Sequence, residues 1–98
     1  MPEYDPQVTG NDYSLTKRDG QIVAMMGWQG LTAKQMALLP EEPLEKFFVQ
    51  WGEEEVSVFG VTPEDAMEAL RRHDSGLSDG IRSGEFRLFR RNKEYIEV

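Results

Sequence analysis

Residues Pro43–Val61 read PLEKFFVQWGEEEVSVFGV, and the fold turns on whether the first half of that stretch is a helix or a strand. Leu44, Phe47, Phe48 and Trp51 stand at i, i+3, i+4 and i+7, with Pro43 at a first-turn position and Gly52 as a stop, which is a helical pattern. Lys46–Trp51 is also rich in strand-forming Phe, Val and Trp. It can pair across Gly52–Glu54 with Glu55–Val61, where Val56, Val58, Phe59 and Val61 suit a central strand. The apolar run is short and leads straight into another strand, so the strand reading is preferred. An antiparallel hairpin then sits in the middle of the chain.

Working outward, Thr62-Pro63-Glu64-Asp65 is a helix start: a threonine cap, a proline whose missing N–H is not needed, and two carboxylates against the positive helix end. Ala66, Met67 and Leu70 form the buried stripe of this helix, and Arg71-Arg72-His73 suit its negative end. Upstream, LTAKQMALLP predicts a short helix over about Ala33–Leu39, with Thr32 as cap, Gln35 completing a capping box, Leu31 stapling onto Met36, and Pro40 as stop.

Tyr13–Met26, YSLTKRDGQIVAMM, reads as a hairpin around Asp19-Gly20, because a tight type I′ turn needs positive φ at both central residues. A two-residue loop pairs Lys17 with Ile22, Leu15 with Ala24 and Tyr13 with Met26. These apolar residues then share one face, against Ser14, Thr16, Arg18 and Gln21, with Val23 and Met25, on the other.

Asp74–Gly84, DSGLSDGIRSG, holds three glycines and three serines and is expected to be a loop. The ending EFRLFRRNKEYIEV is expected to be a second hairpin with an Asn92-Lys93 turn, pairing Arg91 with Glu94, Arg90 with Tyr95 and Phe89 with Ile96. The expected architecture is α+β: an antiparallel sheet of about five or six strands in ββαββαββ order, two helices packed on one face. Residues 1–12 read as a flexible arm and 13–98 as a single domain.

Composition bounds the chemistry. Of 98 residues, 23 are Leu, Ile, Val or Phe, a little above the roughly 20% below which charged chains stay disordered. With no cysteine there are no disulfides, thiolate metal sites or thiol nucleophiles. Met1–Asp12 lacks the basic start and apolar run of a signal peptide, and the longest apolar stretch, Ile22–Met26, is too short to cross a bilayer. A cytoplasmic protein without a membrane partner is expected. The net charge is −7, and it is segregated: residues 1–70 hold 4 basic and 13 acidic groups, residues 71–98 hold 7 and 5. The acidic majority repels nucleic acid, with the C-terminal third as the exception.

Candidate chemical sites are few. His73-Asp74-Ser75 invites a nucleophile reading, but neighbours on a helix project about 100° apart and cannot form a relay among themselves. Asp74 and Glu85 have the first-to-last spacing of a calcium loop, yet its sixth position, which must turn sharply, is Asp79 rather than glycine. The glycines of Gly76–Gly84 with Arg82 suggest an anion cradle, although such loops feed helices and this one enters a strand.

Arg87, Arg90 and Arg91 interleave with Phe86, Leu88 and Phe89, the composition with which some sheets stack single-stranded bases. By alternation Arg87, Phe89 and Arg91 share one face, and Phe86, Leu88 and Arg90 the other. The clusters Glu41-Glu42-Glu45 and Glu53-Glu54-Glu55 are solubilising turns or an anionic surface that mimics nucleic acid, and Trp28 is a core cap or an interface anchor.

The expectation is a small acidic, non-enzymatic interaction module that binds or inhibits a partner protein, using Trp28, Arg82, Arg87, Arg90 and Arg91, with the two glutamate clusters as steering charge. No cofactor and no metal are expected. The alternatives are a nucleic-acid-binding domain working through the C-terminal hairpin, and a phage or mobile-element inhibitor with a nucleic-acid-like anionic surface. An open sheet edge leaves room for a homodimer.

Overall fold

A computed structural model describes residues 14–26, 31 and 33–97. In chain order they form β1 (Thr16–Arg18), β2 (Gln21–Met26), α1 (Ala33–Met36), β3 (Glu45–Trp51), β4 (Glu54–Gly60), α2 (Pro63–His73), α3 (Ser75–Ser83), β5 (Leu88–Arg90), a 3-10 turn (Arg91–Lys93) and β6 (Glu94–Ile96). The strands make one six-stranded antiparallel sheet in the order β1-β2-β4-β3-β5-β6. The fold class is α+β, as the strand reading of Lys46–Trp51 implies. Among the described residues no helix is long and apolar enough to cross a membrane. The expected arm 1–12, Tyr13, Trp28 and Thr32 lie outside the described residues.

Helices α2 and α3 cover one face of the sheet. Ala24, Phe47, Val49, Val58 and Leu88 point at Ala66, Met67, Ala69 and Leu70 of α2 and at Leu77 and Ile81 of α3, all buried. Thr62 caps α2 by accepting the Asp65 N–H at 3.1 Å, and Pro63 opens its first turn. Asp65, buried at the same helix start, accepts a hydrogen bond from the Arg18 guanidinium at 2.8 Å and so ties α2 to the first hairpin.

Residues 75–83, expected to be a loop, are helix α3. Composition misleads here because Leu77 and Ile81, four apart, complete the core stripe, and burial outweighs the poor helix propensity of glycine and serine. Asp74 caps the helix by accepting the Gly76 N–H at 2.9 Å, and the hydroxyls of Ser78 and Ser83 donate back to the Ser75 and Gly80 carbonyls. Gly84, at φ 90°, closes it in the left-handed conformation that glycine adopts without strain. A helix in this place leaves neither a calcium loop between Asp74 and Glu85 nor an anion cradle over Gly76–Gly84.

Three further expectations shift. α1 ends at Met36, and Ala37–Leu39 continue as turns in which the Leu38 and Leu39 N–H groups reach Gln35 and Met36. In the first hairpin Lys17 pairs with Ile22, and Asp19 and Gly20 take positive φ. A bulge between Thr16 and Lys17 then places Thr16, not Leu15, opposite Ala24. That first hairpin has no polar face: Ile22, Val23, Ala24 and Met25 are all buried. The segment 31–44 explains why. Leu31, Leu38, Leu39 and Leu44 pack with Leu15, Ile22, Met25 and Phe59 as a second core.

The C-terminal hairpin turns over three residues instead of two, giving Arg90 opposite Glu94, Phe89 opposite Tyr95 and Leu88 opposite Ile96. The two-residue register would rotate Ile96 out of the helix-covered face and bring Glu97 opposite the buried Leu88. A one-residue slip inverts every side chain of a strand, and burial of Ile96 beside Leu88 selects the longer turn.

Candidate functional site

The strand registers divide the sheet into a face covered by α2 and α3 and an opposite face. On the opposite face, segment 31–44 covers the end formed by β1, β2 and Phe59 of β4. At the other end stand Phe48 of β3, Phe89 of β5 and Tyr95 of β6. Phe48 and Phe89 stack with ring centroids 5.3 Å apart and planes 17° from parallel, and Tyr95 meets Phe89 edge-on at 6.2 Å. Tyr95 is 48% exposed, Phe89 is half-buried, and Phe48 is buried beneath them.

Two cations lie on these rings. The Arg87 guanidinium carbon is 5.1 Å from the Tyr95 centroid, and Lys93 Nζ is 5.3 Å from that of Phe48. Arg87 and Phe89 share this face, as strand alternation requires, while Phe86 and Leu88 turn into the helix-side core. Arg90 goes with them. Its guanidinium lies 5.9 Å from the Phe47 centroid and 3.4 Å from Glu45, an ion pair without hydrogen-bond alignment. Arg90 is therefore a structural cation, and Arg91 stands exposed in the turn.

Ion pairing separates the basic residues into two groups. Arg18 is engaged by Asp65, Lys46 by Glu55, Arg71 and Arg72 by Glu68, and Arg90 by Glu45. The hydrogen bond from Arg71 lowers the Glu68 carboxyl below its ordinary pKa, and Glu68 raises that of Arg71 in return. Lys17 in the first hairpin, Arg82 on α3, and Arg87, Arg91 and Lys93 have no carboxylate partner among the described residues. Three of these cations thus fall within seven residues of chain, and two of them, Arg87 and Lys93, lie on the rings of the aromatic stack.

The remaining candidates do not join this place. Arg82 is exposed on α3, on the helix side. Glu41 and Glu42 line a cavity of about 240 Å³ with Arg18, Asp19, Gln21, Val23, Pro40 and Val61. Glu45 is held by Arg90, and Glu53, Glu54 and Glu55 follow the far end of β3. The rise along β3 sets the two acidic groups about 20 Å apart, so they form no single anionic surface.

Asp74, last of the residues singled out with His73, ends α2 and caps α3 with its carboxylate, a structural use of that side chain. Phe48, Lys93 and Tyr95 are members of the ring-and-cation surface that the sequence reading did not select. The signal that could have found them was the turn length, since only the three-residue register brings Phe89 and Tyr95 to one face.

No family model, no curated protein and no solved structure matches this chain.

Proposed function

We propose that this protein is a small non-enzymatic interaction module, acting by binding a macromolecular partner through the end of its sheet that the described residues leave uncovered, with Tyr95 and Arg87 as anchors and Arg91 and Lys93 at the rim. One observation carries the reading: Arg87 and Lys93, two cations without a carboxylate partner among the described residues, lie on the Tyr95 and Phe48 rings, and Tyr95 is exposed. Aromatic and arginine side chains supply most of the energy at interfaces, and a cation left unpaired on the free protein matches negative charge on the partner. Glu41, Glu42, Glu53 and Glu54 contribute to the long-range field, while Glu45 and Glu55 are engaged by Arg90 and Lys46.

Site-directed photo-crosslinking in the organism that encodes the protein tests this. A photoreactive phenylalanine analogue in place of Tyr95 is expected to give a discrete adduct, and the same analogue in place of Glu68, on α2, to give none. Adducts from position 68 but not from position 95 would place the working surface on the helices and overturn the proposal.

A further inference from the structure

Resting on that reading of the surface, we propose that the end of the sheet left uncovered by the described residues is a binding site for single-stranded nucleic acid. The ring of Tyr95 offers a stacking platform with Phe89 at its edge, and Arg87, Arg91 and Lys93 are the phosphate contacts. The shape, the charge and the ring chemistry point the same way. An antiparallel face free of covering helices accepts unpaired bases lying flat on aromatic rings, and every base has a π face, so such contacts tolerate any sequence. Phosphates track the nearest unneutralised cations, and three of them flank the rings within one hairpin. An acidic protein segment would draw on the cations alone, whereas a base can also stack on the Tyr95 ring, 48% exposed and overlain by the Arg87 guanidinium at 5.1 Å. A duplex hides its bases and has the same deficit.

The net charge of −7 opposes binding at long range. Screening limits that opposition, because at 0.1 M salt the Debye length is about 10 Å. Glu53 and Glu54 follow the end of β3 remote from Lys93, more than about 10 Å away by strand rise. The nearer carboxylates are Glu97, which the continued register sets opposite Arg87; Glu94, beside the turn; Glu55, on the same sheet face beyond β3 and engaged by Lys46; and Glu45, engaged by Arg90. With Glu45 and Glu55 already engaged by Arg90 and Lys46, the cations of this hairpin face fewer free carboxylates than the net charge implies.

The test uses the whole chain and fluorescein-labelled 12-mers of oligo(dT), oligo(U) and a matched duplex, followed by anisotropy at 50–200 mM salt. Binding of the single strands is expected, with the dT and U arms telling DNA from RNA. Three phosphate contacts give a roughly 20-fold affinity loss across that salt range. Tyr95→Ala is expected to weaken binding about ten-fold, the value of one stacked base. The triple variant Arg87→Gln/Arg91→Gln/Lys93→Gln is expected to abolish binding.

The triple variant Arg71→Gln/Arg72→Gln/Arg82→Gln removes the same number of charges from the helix side and is expected to leave binding within two- to three-fold of the parent, a margin set by the long-range effect of net charge. Equal losses in the two triple variants, or equal affinity for duplex, would refute the site. No binding of either single strand would refute the ligand class while leaving the interaction reading to stand or fall by the crosslink at position 95, where a protein adduct would identify the other kind of partner. Unchanged far-UV circular dichroism in each variant separates loss of binding from loss of fold.

Discussion

Replacing Gly80 by alanine sets two opposed effects against each other, and the structure says which is larger. A methyl at Gly80 would stand 2.3 Å and 2.6 Å from Cδ2 and Cε2 of the Phe86 ring and 3.3 Å from its Cγ, where carbon atoms in contact normally sit about 3.5–4.0 Å apart. The ring cannot simply swing away, because the Phe86 N–H donates to the Gly80 carbonyl at 3.0 Å and holds the two backbones together. Overpacking of this kind costs about 1–3 kcal/mol. Alanine in place of glycine inside a helix returns up to about 1 kcal/mol. The expected net loss for Gly80→Ala is about 1–2 kcal/mol, which for a domain of this length lowers Tm by roughly 5–15 °C.

Phe86→Ala removes the obstacle, so in that background Gly80→Ala should stabilise by up to about 1 kcal/mol. Urea unfolding of the four proteins, followed by far-UV circular dichroism, measures the cycle. A change of the same sign in both backgrounds would refute the account of α3 as a helix that Phe86 clasps.

Gly84→Ala is expected to cost about 1 kcal/mol in the same assay although open space surrounds the position, because φ of 90° alone penalises a Cβ. Leu70→Ala, at a fully buried site between α2 and the sheet, is expected to cost about 2–5 kcal/mol, and a smaller loss would mean the core closes over the gap. Glu68→Gln is expected to cost less than about 1 kcal/mol at neutral pH, since the ion pairs with Arg71 and Arg72 are solvent-exposed. The folded-state pKa of Glu68 lies below the ordinary value of 4.5. Its contribution is therefore present above that value and is lost as pH falls through the folded-state pKa, so parent and variant should converge on acidification.

The elements that followed from sequence were those set by local chemistry. Thr62-Pro63 starts a helix wherever it has an apolar stripe to serve, and Asp19-Gly20 reverses a chain by its own φ preferences. The elements that did not follow were set by distant partners. Ser75–Ser83 is helical because Leu77 and Ile81 find the sheet and Phe86 needs a bare Gly80, and no window of eleven residues contains that information. The segment around Ala33–Leu39 looked like a connection with one short helix, yet Leu31, Leu38, Leu39 and Leu44 pack on Leu15, Ile22, Met25 and Phe59 and bury that end of the sheet. Of the basic residues proposed from composition, Arg87 belongs to the ring surface, Arg91 stands exposed in the adjoining turn, and Arg90 turns to the other face, a division fixed by strand alternation together with the pairing of Glu45.

The three-residue turn links core and surface through Lys93. Burial of Leu88 and Ile96 demands the longer turn, and the turn demands positive φ at Asn92 (70°) and at Lys93 (65°). Asparagine tolerates that conformation; for lysine it costs about 1–2 kcal/mol, and glycine would adopt it freely. The core therefore explains the backbone at position 93 but not the side chain there. The side chain lies over Phe48 and has no carboxylate partner among the described residues, which leaves its charge available to the proposed ligand.

Backbone and charge can be separated at this one residue. Lys93→Gly and Lys93→Ala both delete the cation, so each should weaken oligonucleotide binding by the same few-fold amount and flatten its salt dependence by one contact. Only the glycine relieves the backbone, so Lys93→Gly should be more stable than Lys93→Ala by about 1 kcal/mol, the reverse of the usual order of these two residues. If alanine proved as stable as glycine, the turn would not have this geometry. If the two variants bound differently, the lysine would act through the shape of the turn and not through its charge.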